Sequence, residues 1–156
     1  MQPEKKKEAV QFLCGSHMKS ADDLLADNIY PVFPAGTKSL LQKYCTPELF
    51  KQMQNVKDDK GFRFVDAIYS GCKNTDSGIG VYAGSHDSYK AFAPLMDKII
   101  QDYHGHGPTA THESKMSIEG MKCPTISLAG QMLIKSTRIR VARNVAGYPL
   151  GPGINK

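Results

Sequence analysis

Apolar residues recur at helical spacing along the first two thirds of the chain and predict a protein built mainly from α-helices. The clearest pattern covers residues 89–103, after a cap at Ser85 or Asp87, where apolar side chains at steps of three and four residues share one face. Pro94 is expected to kink this helix or to begin a second one, because proline removes a backbone donor inside a helix. The apolar residues of this pattern are Tyr89, Phe92, Met96, Ile99, Ile100 and Tyr103.

Four shorter helices are predicted before residue 71. Each has a polar residue suited to an N-cap or an apolar face at helical spacing, and proline or glycine follows where a helix should end. In chain order they are residues 20–29, ended by Pro31; a helix capped by Thr37; a helix that begins at Thr46 and Pro47; and residues 62–70, ended by Gly71.

The pattern changes after residue 104. Residues 105–124 are rich in glycine, threonine, serine and histidine, and they show no periodicity. Residues 131–141, QMLIKSTRIRV, alternate between two faces and predict a β-strand. Because a single strand is not stable in water, we expect a second domain to begin here and the chain to stop soon afterwards. The predicted division is a tail at 1–18, a helical domain at 19–104, a linker at 105–125 and a truncated domain at 126–156.

The composition of the chain indicates the class of protein and agrees with this predicted division into domains. The 156 residues are 40% hydrophobic and 22% charged, as in a soluble globular protein with one domain of ordinary size. No apolar run approaches the roughly 20 residues of a membrane span, and no signal peptide is visible, so we expect a cytoplasmic protein without a membrane partner. Residues 15–18, GSHM, look like an expression-vector remnant, so residues 1–18 are expected to contribute little.

The net charge of +5 raises a nucleic-acid hypothesis, but the placement of the charge argues against it. Part of the charge lies in residues 4–7, a predicted solvated tail, and aromatic residues are not interleaved with the basic ones. On one face of a strand, Arg138 and Arg140 are expected about 6 to 7 Å apart, which suits neighbouring phosphates; the alternative is a solvated strand edge. The four cysteines are expected to be reduced thiols without an assigned role: Cys14, Cys45, Cys72 and Cys123.

Two motif-based hypotheses are weak. The pattern G-x-G-x-x-A at residues 78–83 fits a dinucleotide-binding fingerprint, but such a fingerprint follows a buried strand, and the preceding segment is predicted to be helical. His104, His106 and His112 could ligate a metal, yet no cysteine or carboxylate stands at a suitable spacing. Exposed linker histidines are the favoured interpretation, and we predict neither a metal site nor a tightly bound cofactor.

Two longer stretches together carry a family resemblance. Residues 74–105 read NTDSGIGVYAGSHDSYKAFAPLMDKIIQDYHG, and residues 133–152 read LIKSTRIRVARNVAGYPLGP. In this order they resemble the N-terminal portion of the phosphagen (ATP:guanidino) kinases, the arginine kinases above all, over roughly residues 36–152. The resemblance implies a mainly α fold, the small irregular helical bundle of a guanidino kinase N-terminal domain, followed by one β-strand from the start of a missing α/β catalytic domain.

The resemblance also implies roles for individual residues. In the family, backbone N–H groups and a tyrosine hydroxyl of a specificity loop bind the carboxylate of the guanidino amino acid. Glycines at 78 and 80 are expected to adopt positive φ and to let the N–H groups converge. The implied substrate-binding residues are Ser77, Gly78, Ile79, Gly80 and Tyr82, with Asp76 as a loop tether and Tyr103 as a specificity residue. The S-T-R-x-R stretch implies binding of ATP phosphates by Ser136, Thr137, Arg138, Ile139 and Arg140.

The implied reaction is the reversible transfer of the γ-phosphoryl group of Mg-ATP to a guanidinium nitrogen, with Mg-ATP and ADP as substrates. The implied partners are a guanidino amino acid, arginine first, ATP, and a C-terminal catalytic domain that this chain lacks. That domain holds the family's guanidinium-binding glutamates and reactive cysteine, so we predict no catalytic residue here and little activity of the chain alone. Residues from about 126 onward are expected to be poorly packed. The alternative is an inactive helical binding or interaction domain derived from such a kinase.

Overall fold

Among the residues that the structure describes, the fold combines short helices with one two-stranded parallel sheet. The computed structural model describes residues 10–27, 29–114 and 116–154, so the predicted solvated tail at residues 4–7 lies outside the described part. In chain order the elements are β1 (Val10–Leu13), β2 (Ile29–Val32), α1 (Leu40–Tyr44), α2 (Pro47–Met53), α3 (Phe64–Lys73), α4 (Ser88–Ala91), α5 (Ala93–His104) and α6 (Leu128–Leu133). Short 3-10 turns form at Ala21–Leu24 and Gly151–Gly153. The prediction of a mainly helical fold is confirmed.

Local sequence sets the ends of the helices. The Thr46 hydroxyl accepts the N–H of Leu49 at 3.3 Å, and Pro47 stands in the first turn of α2, as predicted. The long apolar pattern divides near Pro94 into α4 and α5, and α5 ends at Gly105, whose φ is 72°. Both proline and glycine therefore act at the positions that their backbone chemistry favours.

The core is organised around three phenylalanine rings from different helices. The ring centroids of Phe50 and Phe64 lie 6.4 Å apart, and those of Phe64 and Phe92 lie 5.6 Å apart in an edge-to-face arrangement. All three side chains are at most 1% exposed. Because complete burial of such a side chain stabilises a fold by about 1.5–3 kcal/mol, this cluster holds α2, α3 and the start of α5 together.

The first predicted helix, residues 20–29, is wrong beyond its first turn. Ser20 does cap a turn, but only Ala21–Leu24 is helical, and it is a 3-10 turn. Ile29–Val32 forms β2 and pairs in parallel with Val10–Leu13. Pro31 lies inside this strand, which proline tolerates because each strand of a two-stranded sheet is an edge strand. The cap of the next helix also differs from the prediction: Ser39 caps α1, and the Thr37 hydroxyl donates to a carbonyl oxygen instead.

The fourth predicted helix is correct, but it does not stop at Gly71. α3 continues to Lys73, and Gly71 lies within this helix. Gly71 is buried, and its backbone packs against the backbone of Gly80 in the loop that follows α3. The glycine marks a close approach between two backbones rather than a helix end, and sequence alone does not distinguish the two uses.

The predicted strand over residues 131–141 does not form. Gln131, Met132 and Leu133 belong to α6, and residues 134–141 are irregular and exposed. Ser127 caps α6 by accepting the N–H of Gly130 at 3.2 Å, a local signal that competes with the alternating pattern. Within the described residues this stretch has no β-partner, and unpaired strands are not stable in water.

The segment 11–18 contributes side chains to the core. β1 supplies half of the sheet, and the side chains of Cys14 and Met18 are 1% and 2% exposed. This packing contrasts with the small contribution expected of residues 1–18. The vector origin of GSHM and the domain boundaries stay predictions.

Candidate functional site

The stretch at residues 77–84, called the glycine loop from here on, is an irregular segment between α3 and α4. The first N–H groups of α1, which have no acceptor within their own helix, donate to the carbonyl oxygens of Gly78 and Ile79 at 2.9 Å. On the other side, the Tyr82 N–H donates to the carbonyl oxygen of Ala67 in α3, also at 2.9 Å. The loop backbone is therefore anchored on two helices.

Gly80 brings the glycine loop into direct contact with α3. Its φ is +84°, a conformation that favours glycine. A Cβ atom on Gly71 would lie 2.1 Å from the carbonyl oxygen of Gly80, so the two backbones touch without intervening side chains. Gly78 differs from the expectation: its φ is not positive, and a Cβ atom there would meet open space. The backbone therefore requires glycine at position 80 but not at position 78.

Alternate residues of the glycine loop face two different concave surfaces. Ile79, Val81 and Ala83 line a cavity of about 180 Å³ together with α5 side chains, among them Tyr103. Tyr82 faces a larger cleft of about 780 Å³ beside α3. The structure thus brings Tyr103 near the loop, but on the opposite side from Tyr82.

An ion-pair cluster forms one wall of the larger cleft. Arg63 donates from Nε and Nη2 to the two oxygens of Asp66, each at 2.7 Å, and from Nη1 to Asp22 at 2.6 Å. The hydrogen bonds with Asp66 raise the pKa of Arg63 above its ordinary value. One guanidinium is shared by two carboxylates, so Arg63 is already neutralised and is not a free cation for an anionic ligand.

Backbone donors remain in the glycine loop. In the described part of the chain, no hydrogen bond uses the N–H of Gly78, Ile79 or Gly80, whereas the N–H of Ser77 donates to the carbonyl oxygen of Asn74 at 3.0 Å. Successive free N–H groups on a fixed backbone can bind a carboxylate or another anion. The phenol of Tyr82, 46% exposed, lies two residues further along.

The remaining predicted site residues are exposed. Asp76 is exposed and makes no hydrogen bond with other described residues. Tyr103 is 60% exposed, and its ring lies 4.9 Å from that of His104. Its neighbour Asp102 accepts from the Nζ of Lys43 at 2.7 Å and so ties α5 to α1. Each residue of the predicted phosphate-binding stretch is exposed, and none of them lines either concave surface at the glycine loop: Ser136, Thr137, Arg138, Ile139 and Arg140.

Other candidate chemistry is limited. Among the described residues, no group of three or more histidine, cysteine or acidic side chains has a geometry that could hold a metal. In the same part of the chain no helix has the length and hydrophobicity of a membrane span. Cys14, Cys45 and Cys72 are buried free thiols, and Cys123 is an exposed one.

Comparison with protein families concerns the same segment that forms the glycine loop and its supporting helices. Residues 35–101 match the model of the ATP:guanido phosphotransferase N-terminal domain. Residues 35–101 are therefore similar to that domain. The match includes α1 to α3, the glycine loop and most of α5, whereas the stretch at residues 136–140 lies outside it.

Similar proteins include several arginine kinases. The arginine kinase of Anthopleura japonica is 50% identical over 120 residues, which are 76% of this chain and 17% of that protein. Arginine kinase Lit v 2 of Penaeus vannamei is 41% identical over 116 residues, 74% of this chain and 32% of that protein. The arginine kinase of Callinectes sapidus is 42% identical over the same length and shares. The chain therefore spans about a third or less of the length of these relatives.

Several residues that shape the surroundings of the glycine loop were missed by sequence reasoning. Gly71 looked like a helix end, and the Asp22–Arg63 pair joins residues far apart in the chain. Only the spacing of Arg63 and Asp66, three residues apart at a helix start, was a local signal for an ion pair.

Proposed function

We propose that this chain is the N-terminal part of an ATP:guanidino phosphotransferase and that its glycine loop binds a guanidino amino acid, with arginine as the first candidate. The observation that supports the proposal most is the set of free N–H groups at Gly78, Ile79 and Gly80, followed two residues later in the chain by the exposed phenol of Tyr82. The arginine kinases among its relatives agree with this choice of substrate.

The proposed role of the loop is to bind the carboxylate of the substrate. Because Arg63 is neutralised by Asp22 and Asp66, we propose that the backbone N–H groups of the loop and the Tyr82 phenol, rather than this guanidinium, are the donors to the carboxylate. The position of Gly80 is fixed by its contact with Gly71, so the donors keep their orientation before the substrate arrives. A preorganised donor set of this kind binds an anion without first losing conformational entropy.

A titration of the ¹⁵N-labelled chain with L-arginine tests this proposal. We expect shifts of the Gly78, Ile79 and Gly80 amide resonances, and we expect Tyr82→Phe to weaken binding about tenfold, since a hydrogen bond to a charged group contributes about 1.5–3 kcal/mol. Tyr89→Phe is the matched control, because Tyr89 is also 46% exposed and lies outside the proposed donor set. Absence of loop shifts, or equal affinities of the two variants, would contradict the proposal.

The second part of the proposal concerns the nucleotide. Ser136, Thr137, Arg138, Ile139 and Arg140 are proposed to hold the phosphates of Mg-ATP, where cationic donors align the phosphoryl group and offset its charge. These residues are exposed and their backbone is irregular, which supports the proposal that they bind phosphates only when a catalytic domain packs against them. We expect Arg138→Gln to lose ADP binding and Arg143→Gln to keep it. Equal loss in both variants would indicate nonspecific electrostatic attraction between ADP and the basic residues.

The exposed stretch also sets an expectation for turnover. Because the proposed phosphate-binding residues are exposed and line neither concave surface at the glycine loop, we propose that this chain alone turns over arginine and ATP very slowly. A coupled assay of ADP release measures this, and rates typical of kinases, about 1–100 s⁻¹, would overturn it. The alternative of an inactive binding domain stays a prediction, and addition of a catalytic domain from an arginine kinase separates the two: restored turnover supports the enzyme, and continued inactivity supports the binding domain.

A further inference from the structure

The segment Tyr148–Gly153, called the strap from here on, returns to the packed part of the molecule after a long exposed stretch. From residue 105 to residue 148, every described residue is exposed except Gly107 and Gly130. The Leu150 N–H then donates to the carbonyl oxygen of Gly84 at 2.8 Å, and the 3-10 turn that follows closes with a bond from Gly153 N–H to the Leu150 carbonyl oxygen. The strap therefore docks on the last residue of the glycine loop.

Gly84 lies between the strap and an aromatic ring. A Cβ atom on Gly84 would lie 2.2 Å from Cγ of Phe62, and a Cβ atom on Gly153 would lie 2.2 Å from the carbonyl oxygen of Gly84. Neither glycine has a positive φ, so contact rather than backbone conformation excludes a side chain at both positions. The Gly153 backbone therefore packs on the Gly84 backbone, and the Gly84 backbone packs on the Phe62 ring. A side chain at either glycine position would disrupt this arrangement.

The strap also borders the cleft that Tyr82 faces. Pro152 lies in the wall of the 780 Å³ cleft together with Tyr82 and Phe62. Tyr82 is two residues before Gly84, and its own N–H is fixed to Ala67. Its backbone is thus held by α3, and the strap holds the residues that follow it.

We propose that the strap fixes the end of the glycine loop and so places the Tyr82 hydroxyl, which makes Gly84 and Gly153 positioning residues for substrate binding. The inference rests on the proposed function in that the loop binds the guanidino amino acid.

The first test compares two single-glycine variants of the full chain. Gly153→Ala places a methyl group against Gly84, whereas Gly151→Ala is the matched control because its Cβ would meet open space. For Gly153→Ala we expect about tenfold faster hydrogen exchange of the Leu150 amide, shifted Tyr82 and Gly84 resonances and several-fold weaker binding of L-arginine. Gly151→Ala should match the wild type in all three. Unchanged Leu150 exchange or an unshifted Tyr82 resonance in Gly153→Ala would overturn the proposal.

A second variant tests the strap if Gly153→Ala does not fold. Leu150 has φ of −75°, which suits proline, so Leu150→Pro removes the donor to Gly84 without changing the local backbone. The same shift of Tyr82 and the same loss of L-arginine affinity are expected, and wild-type values would overturn the proposal. If L-arginine does not bind the wild-type chain, the proposed function fails, and the Leu150 exchange and the Tyr82 shift still decide whether the strap places this residue.

Discussion

At the scale of single residues, the Asp58 carboxylate has the most direct influence on the neighbourhood of the glycine loop. It is 7% exposed; one oxygen accepts the N–H groups of Lys60 and Phe62, and the other accepts the hydroxyls of Ser85 and Ser88. Burial alone would raise the pKa of this carboxyl, but the hydrogen bonds outweigh burial and hold its pKa below the ordinary value of 3.8. The charged form therefore pins the turn before α3 to the first turn of α4.

This carboxylate predicts a specific pH dependence of stability. A group with a depressed folded-state pKa contributes stability above its unfolded pKa and loses it as the pH falls through the folded value. We expect Asp58→Asn to lower the free energy of unfolding by about 2 kcal/mol at pH 6, with the difference shrinking below pH 3.8. Urea unfolding at several pH values measures this. The exposed Asp76→Asn is the control, and a difference independent of pH would contradict the prediction.

The cysteines are a second residue-scale case. Cys14, Cys45 and Cys72 are at most 1% exposed, and burial raises the pKa of the Cys45 thiol to about 12, so little thiolate forms at neutral pH. Cys123 is exposed. We expect a thiol-specific disulfide reagent to modify one cysteine quickly in the native protein and four after denaturation. Cys123→Ser should abolish the fast phase, and a fast phase that persists in this variant would show that a buried thiol is accessible.

At the scale of elements, the contact between α3 and the glycine loop determines where the proposed donors lie. Gly71→Ala should gain about 1 kcal/mol in helix propensity but force a methyl group against the carbonyl oxygen of Gly80. Overpacking costs about 1–3 kcal/mol, so we expect a net loss of stability together with shifted loop resonances. Thermal unfolding and amide spectra measure both effects. Gly78→Ala, with open space around its Cβ, should be neutral, and a Gly71→Ala variant as stable as the wild type would refute the close contact.

The elements that sequence predicted correctly are those with local signals. Thr46 with Pro47 identified the start of α2, and apolar spacing identified α3 and α5 because helical contacts lie three and four residues apart. β1 and β2 escaped prediction because their pairing joins Val10–Leu13 to Ile29–Val32 across an intervening turn. The alternating residues 131–141 misled for the opposite reason: the pattern was local, but a strand also needs a partner.

The candidate site divides in the same way. The positive φ of Gly80 was predicted correctly from sequence, because such a conformation favours glycine, whereas the positive φ expected of Gly78 was wrong. The neutralisation of Arg63, the contact at Gly71 and the docking of Gly153 depend on residues that meet only after folding. Local patterns therefore located the loop, while the tertiary contacts that give it its shape required the structure.

At the scale of the whole molecule, the chain combines a packed part with a long exposed one. The packed part contains the core, the glycine loop and the strap, whereas the described residues between 105 and 147 contribute almost nothing to burial. The exposed part carries a cluster of cations, Lys135, Arg138, Arg140 and Arg143, whose charges are unopposed by any ion pair among the described residues. Anionic ligands or protein surfaces can therefore reach this part without displacing internal contacts.

This division predicts the order of proteolysis. Trypsin should cut first after Lys122, Lys135, Arg138, Arg140 and Arg143, since cleavage needs a backbone that is already open, and should leave a fragment that retains the helices up to His104. Mass spectrometry of a time course identifies the cuts, and digestion in urea is the control in which the preference should disappear. Early cleavage after Lys73, at the end of α3, would show that the packed part opens as readily as the exposed one. If the strap holds Gly84 as proposed, the peptide that contains it should stay bound to the fragment after the first cuts and separate only on denaturation.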